Sequence, residues 1–291
     1  MASSSSSVSP ALSASCLPTG SAVPPSSPSP AGAAVPAQAG PRPARRALVT
    51  GASTGIGQAT VRLLRDHGWQ VVATARRAER LRSLAEQTGC QWLAADLQVA
   101  ADVEAMAAQV LVDGPVDAVV NNAGGALGAD PVTDADDAEW LAMYERNVLG
   151  ALRVTRALLP GLRSRGGDVV FLTSTAAHDT YPGGAGYVAA KHAERVVANT
   201  LRLELVGEPV RIIEIAPGMV ATEEFALNRF HGDHERARAV YAGVEAPLTA
   251  RDVAECVVWS LERPAHVNID SMIVRPRAQA SNTLVARSSR G

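Results

Sequence analysis

One lysine, Lys191, occurs among the 27 lysine and arginine residues of this chain, and it follows Tyr187 by four positions. Residues four apart on a helix share a face, so the phenol and the ammonium would project together. Because a guanidinium is broad, planar and weakly hydrated, arginine does not easily replace a lysine that acts as a compact donor. Tyr187 is therefore a candidate general acid or base with a lowered pKa. Taken alone, the spacing is better explained by a chance pair on an amphipathic helix.

A glycine-rich segment follows the first apolar run of the chain and reads Thr50-Gly51-Ala52-Ser53-Thr54-Gly55-Ile56-Gly57. Glycines let the backbone turn tightly and approach a pyrophosphate at a helix N-terminus, where free N–H groups favour an anion. Its position after a strand and before a helix is the one that a dinucleotide-binding loop requires. The same residues also fit the Gly-x-Ser-x-Gly motif of hydrolases, with Ser53 as nucleophile. That motif normally follows several strands, whereas here it follows the first.

Two arginines, Arg76 and Arg77, end the second predicted strand, where no acidic residue is present. An acid at this place binds the ribose 2′-hydroxyl of NAD, while a basic residue accommodates the 2′-phosphate of NADP. Guanidinium groups suit a phosphate because they offer several donors in a fixed plane. The sequence therefore predicts NADP as the cofactor, although the arginines would also fit the start of an exposed helix.

The elements that must position these residues alternate between strand and helix. We predict strands at residues 47–50, 70–75, 91–94, 116–121, 168–173, 210–216 and 272–274. We predict helices at residues 54–67, 77–87, 99–111, 136–165, 185–206 and 250–261, with short helices within 222–242 and a break near Pro160-Gly161. Because the strands are continuous Val, Ile and Leu runs, the pattern predicts an α/β fold with a doubly wound parallel sheet.

Composition narrows the function classes. The formal net charge of −2 gives no electrostatic footprint for nucleic acid, and no apolar run approaches the roughly 20 residues of a membrane span. Three widely spaced cysteines predict free thiols in a reducing compartment, so we expect a cytoplasmic protein. The run His231-Gly232-Asp233-His234 lacks ligand spacing on a firm element, and we interpret it as a surface loop without metal.

Residues 1–45 differ from the rest of the chain because they consist mainly of Ser, Ala, Pro and Gly, with no charge before Arg42. Such a segment cannot bury enough apolar surface to offset its chain entropy, so we predict a disordered tail followed by one domain at 46–291. The segment has no secretory signal pattern. Its serine content and lack of acids fit a plastid transit peptide, and a non-functional extension or a wrongly chosen start fits equally.

Residues 46–275 carry a set of motifs that resembles the short-chain dehydrogenase/reductase family. The matching residues are Thr50-Gly51-x-x-x-Gly55-Ile56-Gly57, Asp96-Leu97, Asn121-Asn122-Ala123-Gly124, Asn147, Ser174, Tyr187-x-x-x-Lys191 and Pro217-Gly218. The resemblance implies a single Rossmann-type domain and a homotetramer, with helices 136–165 and 185–206 at one interface. It also implies a small hydroxy or carbonyl substrate as the partner of the enzyme.

The resemblance implies a catalytic set of Asn147, Ser174, Tyr187 and Lys191. Tyr187 would exchange a proton with the substrate oxygen, and Ser174 would hold that oxygen. Lys191 would favour the phenolate and bond the nicotinamide ribose, while Asn147 would position a water leading to Lys191. An unperturbed phenol has a pKa of about 10, which explains why such help is needed near neutrality.

The resemblance also implies the residues that bind NADP, besides Tyr187 and Lys191. Glycine-loop residues would cradle the phosphates, Asp96 and Leu97 the adenine, Asn122 the adenosine ribose side, and Pro217 to Thr222 the nicotinamide amide. The full predicted set is Gly51, Ser53, Thr54, Gly55, Ile56, Gly57, Arg76, Arg77, Asp96, Leu97, Asn122, Pro217, Gly218, Val220 and Thr222.

A closer resemblance is to bacterial NADP-dependent 3-hydroxy acid dehydrogenases that act on serine and allo-threonine. It rests on Ala75-Arg76-Arg77-x-Glu79-Arg80-Leu81, Glu223-x-Phe225-x-x-x-Arg229-Phe230-x-Gly232-Asp233 and Pro264-Ala265-His266-Val267-Asn268-Ile269. Departures at Ala177, His178-Asp179, Glu224 and Ala226 leave the substrate open. Candidate substrate neighbours are His178, Tyr181, Met219 and Arg229. A broader carbonyl reductase of secondary metabolism and a non-catalytic NADP-binding sensor are the alternatives.

Overall fold

A computed structural model describes residues 44–288 of the chain. The strands are β1 (Arg46–Thr50), β2 (Gln70–Ala75), β3 (Gln91–Ala94), β4 (Ala118–Asn121), β5 (Gly167–Leu172), β6 (Val210–Pro217) and β7 (Met272–Val274). The helices are α1 (Gly55–Asp66), α2 (Ala78–Thr88), α3 (Ala100–Val112), α4 (Asp137–Tyr144), α5 (Gly150–Arg165), α6 (Ala185–Glu204), α7 (Phe225–Arg229), α8 (His234–Tyr241) and α9 (Ala250–Leu261).

The seven strands form one parallel sheet in the order β3-β2-β1-β4-β5-β6-β7. All five residues of β1 are buried, as are the last five of β5 and the last seven of β6. Apolar side chains alternate between two clusters, one packed under α1 and α9 and the other under α3 and α5. The doubly wound α/β fold predicted from the apolar runs is confirmed.

Asp168 at the start of β5 joins the domain's first residues to the sheet. Its carboxylate is 2% exposed and accepts two hydrogen bonds from Arg211, at 2.6 and 2.8 Å, and one from Arg45 at 2.6 Å. The Arg45 guanidinium also lies 4.0 Å from the centre of the Trp69 ring. Arg45 therefore belongs to the folded domain, one residue earlier than the boundary predicted at 45/46. The rest of the tail predicted to be disordered, residues 1–43, lies outside the described residues.

The helix predicted at 136–165 is interrupted, but not where its proline suggested. Pro160 lies inside α5 on the exposed side, where the loss of one backbone donor is tolerated. The irregular turn is instead a π-helical segment at Glu145–Leu149, between α4 and α5. Such single-turn insertions are common at functional sites, and this one carries Asn147.

Within residues 44–288, no helix is both long and apolar enough to cross a membrane. Cys90 and Cys256 are free thiols, and Cys16 lies outside the described residues. In the 231–234 run, His231 pairs with Glu139 at 2.8 Å and Asp233 caps α8. Across the described part of the chain, no three His, Cys, Asp or Glu residues are grouped as metal ligands would be.

Candidate active site

The carboxyl ends of the parallel strands meet at one edge of the sheet, where a cleft of about 640 Å³ opens. In open α/β sheets, ligands bind at this edge beside the point where strand order reverses, here between β1 and β4. The cleft is lined by every residue predicted for catalysis or cofactor binding except Gly57 and Asn147. Residues up to 171 positions apart, from Gly51 to Thr222, are therefore brought to one site.

The glycine loop is shaped by close contact with the turn after β4. Gly51 has φ +63°, and a Cβ on it would lie 2.8 Å from the Ala123 Cα. Asn122 donates its side-chain amide to the Thr50 carbonyl at 2.8 Å, which holds loop and strand together. A Cβ on Gly57 would collide with the Asn122 amide and the Gly51 carbonyl. Gly57 thus permits the packing of α1 against the loop and does not itself face the cleft.

The loop presents the N-terminus of α1 to the cleft. The helix begins at Gly55, and the Thr54 side chain makes no capping hydrogen bond. The first N–H groups of the helix are therefore available to an anion. Ser53 accepts a hydrogen bond from Arg77 at 2.9 Å, and no histidine of residues 44–288 bonds to its hydroxyl. This arrangement supports phosphate binding and gives no support to the hydrolase alternative.

Arg77 faces the cleft but is held by a residue that the sequence did not assign. Its guanidinium donates two hydrogen bonds to the Glu224 carboxylate, both at 2.7 Å, across 147 positions of the chain. The hydrogen bond to Arg77 lowers the pKa of Glu224, and the same bond raises the pKa of Arg77. Arg80 also contacts Glu224, at 3.1 Å. The Glu224 carboxylate thus already accepts hydrogen bonds from the arginine that is predicted to bind a 2′-phosphate.

Replacing Glu224 by Gln is expected to tighten NADP binding about threefold to fivefold, because breaking a partly exposed ion pair costs roughly 0.5–1 kcal/mol. Fluorescence titration with NADPH and NADH measures it, and only NADPH should gain. Glu208→Gln is the matched control, since Glu208 forms a similar bidentate pair with Arg163 away from the cleft. Equal or weaker NADPH binding in Glu224→Gln would show that Glu224 does not compete for Arg77.

The adenosine end of the cleft contains the predicted Asp96 and Leu97 and an unpredicted cation, Arg146. Asp96 follows β3 and accepts the Gln98 backbone N–H at 3.0 Å, while Leu97 is 8% exposed. Burial lowers the pKa of Arg146, and the nearby positive charge of Arg76 lowers it further. Because Arg146 directly precedes Asn147 in the π-helical turn, only knowledge of that turn could have placed it here.

The catalytic residues come from two neighbouring elements. Ser174 follows β5, and α6 carries Tyr187 and Lys191 on one face. Lys191 lies 5.9 Å from the centre of the Tyr187 ring, and the Ser174 hydroxyl donates to the Pro217 carbonyl at 3.4 Å. Lys191 donates to the Leu172 carbonyl at 2.9 Å and is 3% exposed. The predicted convergence of serine, tyrosine and lysine is present.

The ionisation of Tyr187 departs from the sequence expectation. Burial is the largest influence and raises the pKa of the phenol, while Lys191 and the Ser174 hydrogen bond lower it. The net direction is upward, opposite to the lowered pKa predicted from the Tyr187–Lys191 spacing. The reason is that the ring is only 7% exposed, so desolvation of the phenolate outweighs the attraction of one ammonium. The protein alone therefore favours the protonated phenol.

Asn147 is fully buried beneath the cleft. Its amide donates to the Met143 carbonyl at 2.7 Å and to the Gly125 carbonyl at 2.9 Å, and it accepts the Gly125 N–H at 3.0 Å. Both amide protons are thus engaged by the backbone. The Asn147 side chain fixes the turn at Gly124-Gly125, and a Cβ on Gly124 would lie 3.3 Å from the Lys191 nitrogen. Its predicted role in holding a water stays a prediction.

The substrate side is built by the segment after β6 and by residues near the C-terminus. The Met219 N–H donates to Gln279 at 2.8 Å, and Asn282 accepts from Thr175 at 2.7 Å. Gln279 and Asn282 both line the cleft, although no sequence motif marks either residue. Their positions depend on how the chain folds back after β7, which no local pattern encodes.

Three of the four candidate substrate neighbours, Tyr181, Met219 and Arg229, line the cleft. Arg229 donates to the Gly183 carbonyl at 2.8 Å and contacts the Tyr181 hydroxyl at 3.3 Å. His178 does not line the cleft, because its ring nitrogen faces Glu214 at 3.0 Å. The buried Glu214 carboxylate explains this orientation, and the place of His178 beside the substrate stays a prediction.

A phosphate-binding loop and a serine–tyrosine–lysine set at the switch point of a parallel sheet define a dinucleotide-dependent oxidoreductase. The short chain dehydrogenase family profile matches residues 45–229. The chain belongs to the short-chain dehydrogenase family, as its motifs predicted.

Relatives and solved structures agree with this assignment. An uncharacterized oxidoreductase of Mycobacterium tuberculosis is 55% identical over 238 residues, covering 81% of this chain and 93% of that protein. The serine 3-dehydrogenase of Agrobacterium fabrum is 40% identical over 236 residues, covering 80% of this chain and 94% of that protein. A solved closed form of serine dehydrogenase complexed with NADP+ matches with a TM-score of 0.79 and 37% identity, covering 84% of this chain and all of that one.

Proposed function

We propose that this oxidoreductase transfers hydride between NADP and a small 3-hydroxy acid such as serine or allo-threonine. The observation that carries the proposal is the placement of Ser174, Tyr187 and Lys191 in the same cleft as the glycine loop and the two arginines. The likeness to serine 3-dehydrogenase supports the substrate class.

The cofactor is NADP, and the residues of the cleft fit it. Gly51 packs so close to Ala123 that a side chain there would collide with it, so the tight turn that leads into α1 requires glycine. Arg76 and Arg77 supply the cations for a 2′-phosphate at the end of β2, and the matching serine dehydrogenase structure contains NADP+. When bound, NADP supplies the hydride acceptor or donor, and the protein supplies position and electrostatics.

The protein side of the reaction is proton transfer at the substrate oxygen. In reduction, the Tyr187 O–H donates its proton to that oxygen, and in oxidation the phenolate accepts the proton of the alcohol. Ser174 bonds the same oxygen and holds it beside the phenol. The ammonium of Lys191 stabilises the phenolate that forms, because an opposite charge favours the ionised state.

The substrate pocket has the polarity that a small acid requires. Arg229, Tyr181 and Tyr187 all line the cleft. The Arg229 guanidinium carbon lies 5.6 Å from the centre of the Tyr181 ring. We propose that Arg229 supplies the positive charge facing the substrate carboxylate. Gln279 and Asn282 also line the cleft and contribute neutral polar groups.

The proposal is tested by following nicotinamide absorbance with purified protein, NADP and L-serine, allo-threonine or 3-hydroxypropionate, with NAD as the control. We expect turnover with NADP and at least one 3-hydroxy acid. NADPH-dependent reduction of simple ketones without oxidation of the acids would instead support the broader carbonyl reductase. NADPH binding without turnover of any substrate would support the sensor.

We further propose a homotetramer in the cytoplasm. Apolar side chains on α4 and α6 face outward, including Leu141 at 71%, Val196 at 61% and Leu203 at 76% exposure. Exposed apolar patches of this kind commonly mark protein–protein contacts. The free thiols of Cys90 and Cys256 agree with a reducing compartment. A monomer mass in sedimentation equilibrium would contradict the tetramer, and periplasmic recovery in fractionation would contradict the location.

A further inference from the structure

A third ionisable group lies on the catalytic face of α6. Tyr187, Lys191 and Glu194 are separated by four and three positions, so they form one stripe over two turns of the helix. The Glu194 Oε2 accepts a hydrogen bond from the Lys191 ammonium at 2.7 Å. The side chains of the pair are only 4% and 1% exposed. The positive charge of Lys191 is thus paired with the Glu194 carboxylate one turn further along α6.

Burial of the Glu194 carboxylate costs the fold free energy. Its second oxygen, Oε1, is buried and has no hydrogen-bond partner among the described residues. A buried carboxylate with an unsatisfied oxygen carries a desolvation cost, which the single hydrogen bond to Lys191 offsets only in part. Lys191 already has the Leu172 carbonyl to orient it. Holding the lysine in place therefore does not by itself account for an acid at position 194.

The surroundings of Glu194 make its charge variable. Burial raises the pKa of Glu194 to about 7 against the attraction of Lys191, and the nearby Glu214 on β6 adds a smaller rise. Glu214 is itself buried and faces Thr173 at 2.7 Å, His178 at 3.0 Å and Arg195 at 3.9 Å.

Lys191 remains charged beside these acids. Burial works against the ammonium, but Glu194, Tyr187 and Glu214 outweigh it and raise its pKa. The pKa of Tyr187 is raised mainly by burial, and it also depends on Lys191, Tyr181, Ser174 and Glu194. The variable charge in this group is therefore that of Glu194, while Lys191 stays positive near neutrality.

We propose that Glu194 is a positioning residue that acts through Lys191: its carboxylate offsets the ammonium charge and so keeps Tyr187 protonated, as an acid for carbonyl reduction. This inference rests on the proposed role of Tyr187. When Glu194 is ionised, the phenolate gains less from Lys191, and oxidation needs a higher pH. When Glu194 is neutral, the full charge of Lys191 acts on the phenol.

The test is Glu194→Gln, which keeps an oxygen acceptor for Lys191 and removes the negative charge. With NADP and L-serine, we expect the pH at which the oxidation rate is half-maximal to fall by about one unit. Glu204→Gln is the matched control, because Glu204 is an exposed glutamate on the same helix and away from the cleft. Its pH profile should match that of the unchanged protein.

A second readout needs no turnover. Tyrosinate absorbance is titrated in the NADP complex with and without Tyr187→Phe, and the difference isolates one of the four tyrosines. Glu194→Gln should lower the Tyr187 midpoint by a similar amount. If that variant does not fold, Glu194→Asp, whose shorter side chain draws the carboxylate back from Lys191, should give a smaller shift in the same direction.

The two readouts separate this inference from the proposed function. A uniform loss of rate at all pH values, with no shift in either profile, would mean a merely structural role and overturn the inference. An unshifted or raised Tyr187 midpoint would overturn it as well. A lowered midpoint in a protein that oxidises none of the acids would uphold the inference while the substrate proposal fails.

Discussion

Tyr187→Phe is expected to lower kcat by about 10²–10⁴-fold, the range typical of a lost general acid or base. The phenol is the only predicted group that can exchange a proton with the substrate oxygen, and phenylalanine fills the same space. NADPH affinity should change by less than about twofold, because the change removes one hydroxyl and leaves the glycine loop and arginines intact. Steady-state kinetics and fluorescence titration measure the two effects separately.

Tyr144→Phe is the control for this experiment. Tyr144 is 45% exposed on α4 and does not line the cleft, so loss of its hydroxyl should leave kcat unchanged. Retained turnover in Tyr187→Phe would remove the acid/base assignment. A parallel loss of NADPH binding would instead point to a change in the cleft itself.

Arg76→Ala combined with Arg77→Ala should weaken NADPH binding by about 10–100-fold, since hydrogen bonds to charged groups contribute roughly 1.5–3 kcal/mol. NADH affinity should be nearly unchanged, because NADH lacks the 2′-phosphate. The ratio of the two dissociation constants, measured by fluorescence titration, is therefore the quantity of interest. It reports on the phosphate contact and is insensitive to a general loosening of the cleft.

The matched control is Arg163→Ala. Arg163 forms a bidentate pair with Glu208, as Arg77 does with Glu224, but it lies outside the cleft. Its loss tests whether breaking such a pair alone affects cofactor binding. An equal loss of affinity for NADPH and NADH in the double variant would contradict the 2′-phosphate role of Arg76 and Arg77.

Much of the fold could be predicted from the sequence because the signals are local. Buried parallel strands must be apolar along their whole length, and the β1 and β6 segments show this directly. The predicted catalytic and cofactor residues follow strand ends or share a helix face. Since parallel strands end at one edge, the topology alone was sufficient to bring Gly51, Ser174 and Tyr187 together.

The tertiary structure decided features that depend on distant residues. Whether Pro160 or the 145–149 turn interrupts the long helix depends on which side faces solvent, since an exposed proline is tolerated. The contact of Arg77 with Glu224 and the turn of His178 toward Glu214 join positions far apart in the chain. The sequence around each of these residues does not indicate which distant residue it will contact.

The sequence by itself determined which residues are candidates for the chemistry, because a tyrosine four residues before the only lysine, among the surrounding motifs, predicts an acid/base pair on one helix face. Only the tertiary structure decided the ionisation of that pair. Desolvation depends on everything that packs around Tyr187, and it outweighs the single charge that the spacing revealed. The sequence places Glu194 on the same face of the helix. Its burial, which governs its ionisation, is visible only in the folded protein.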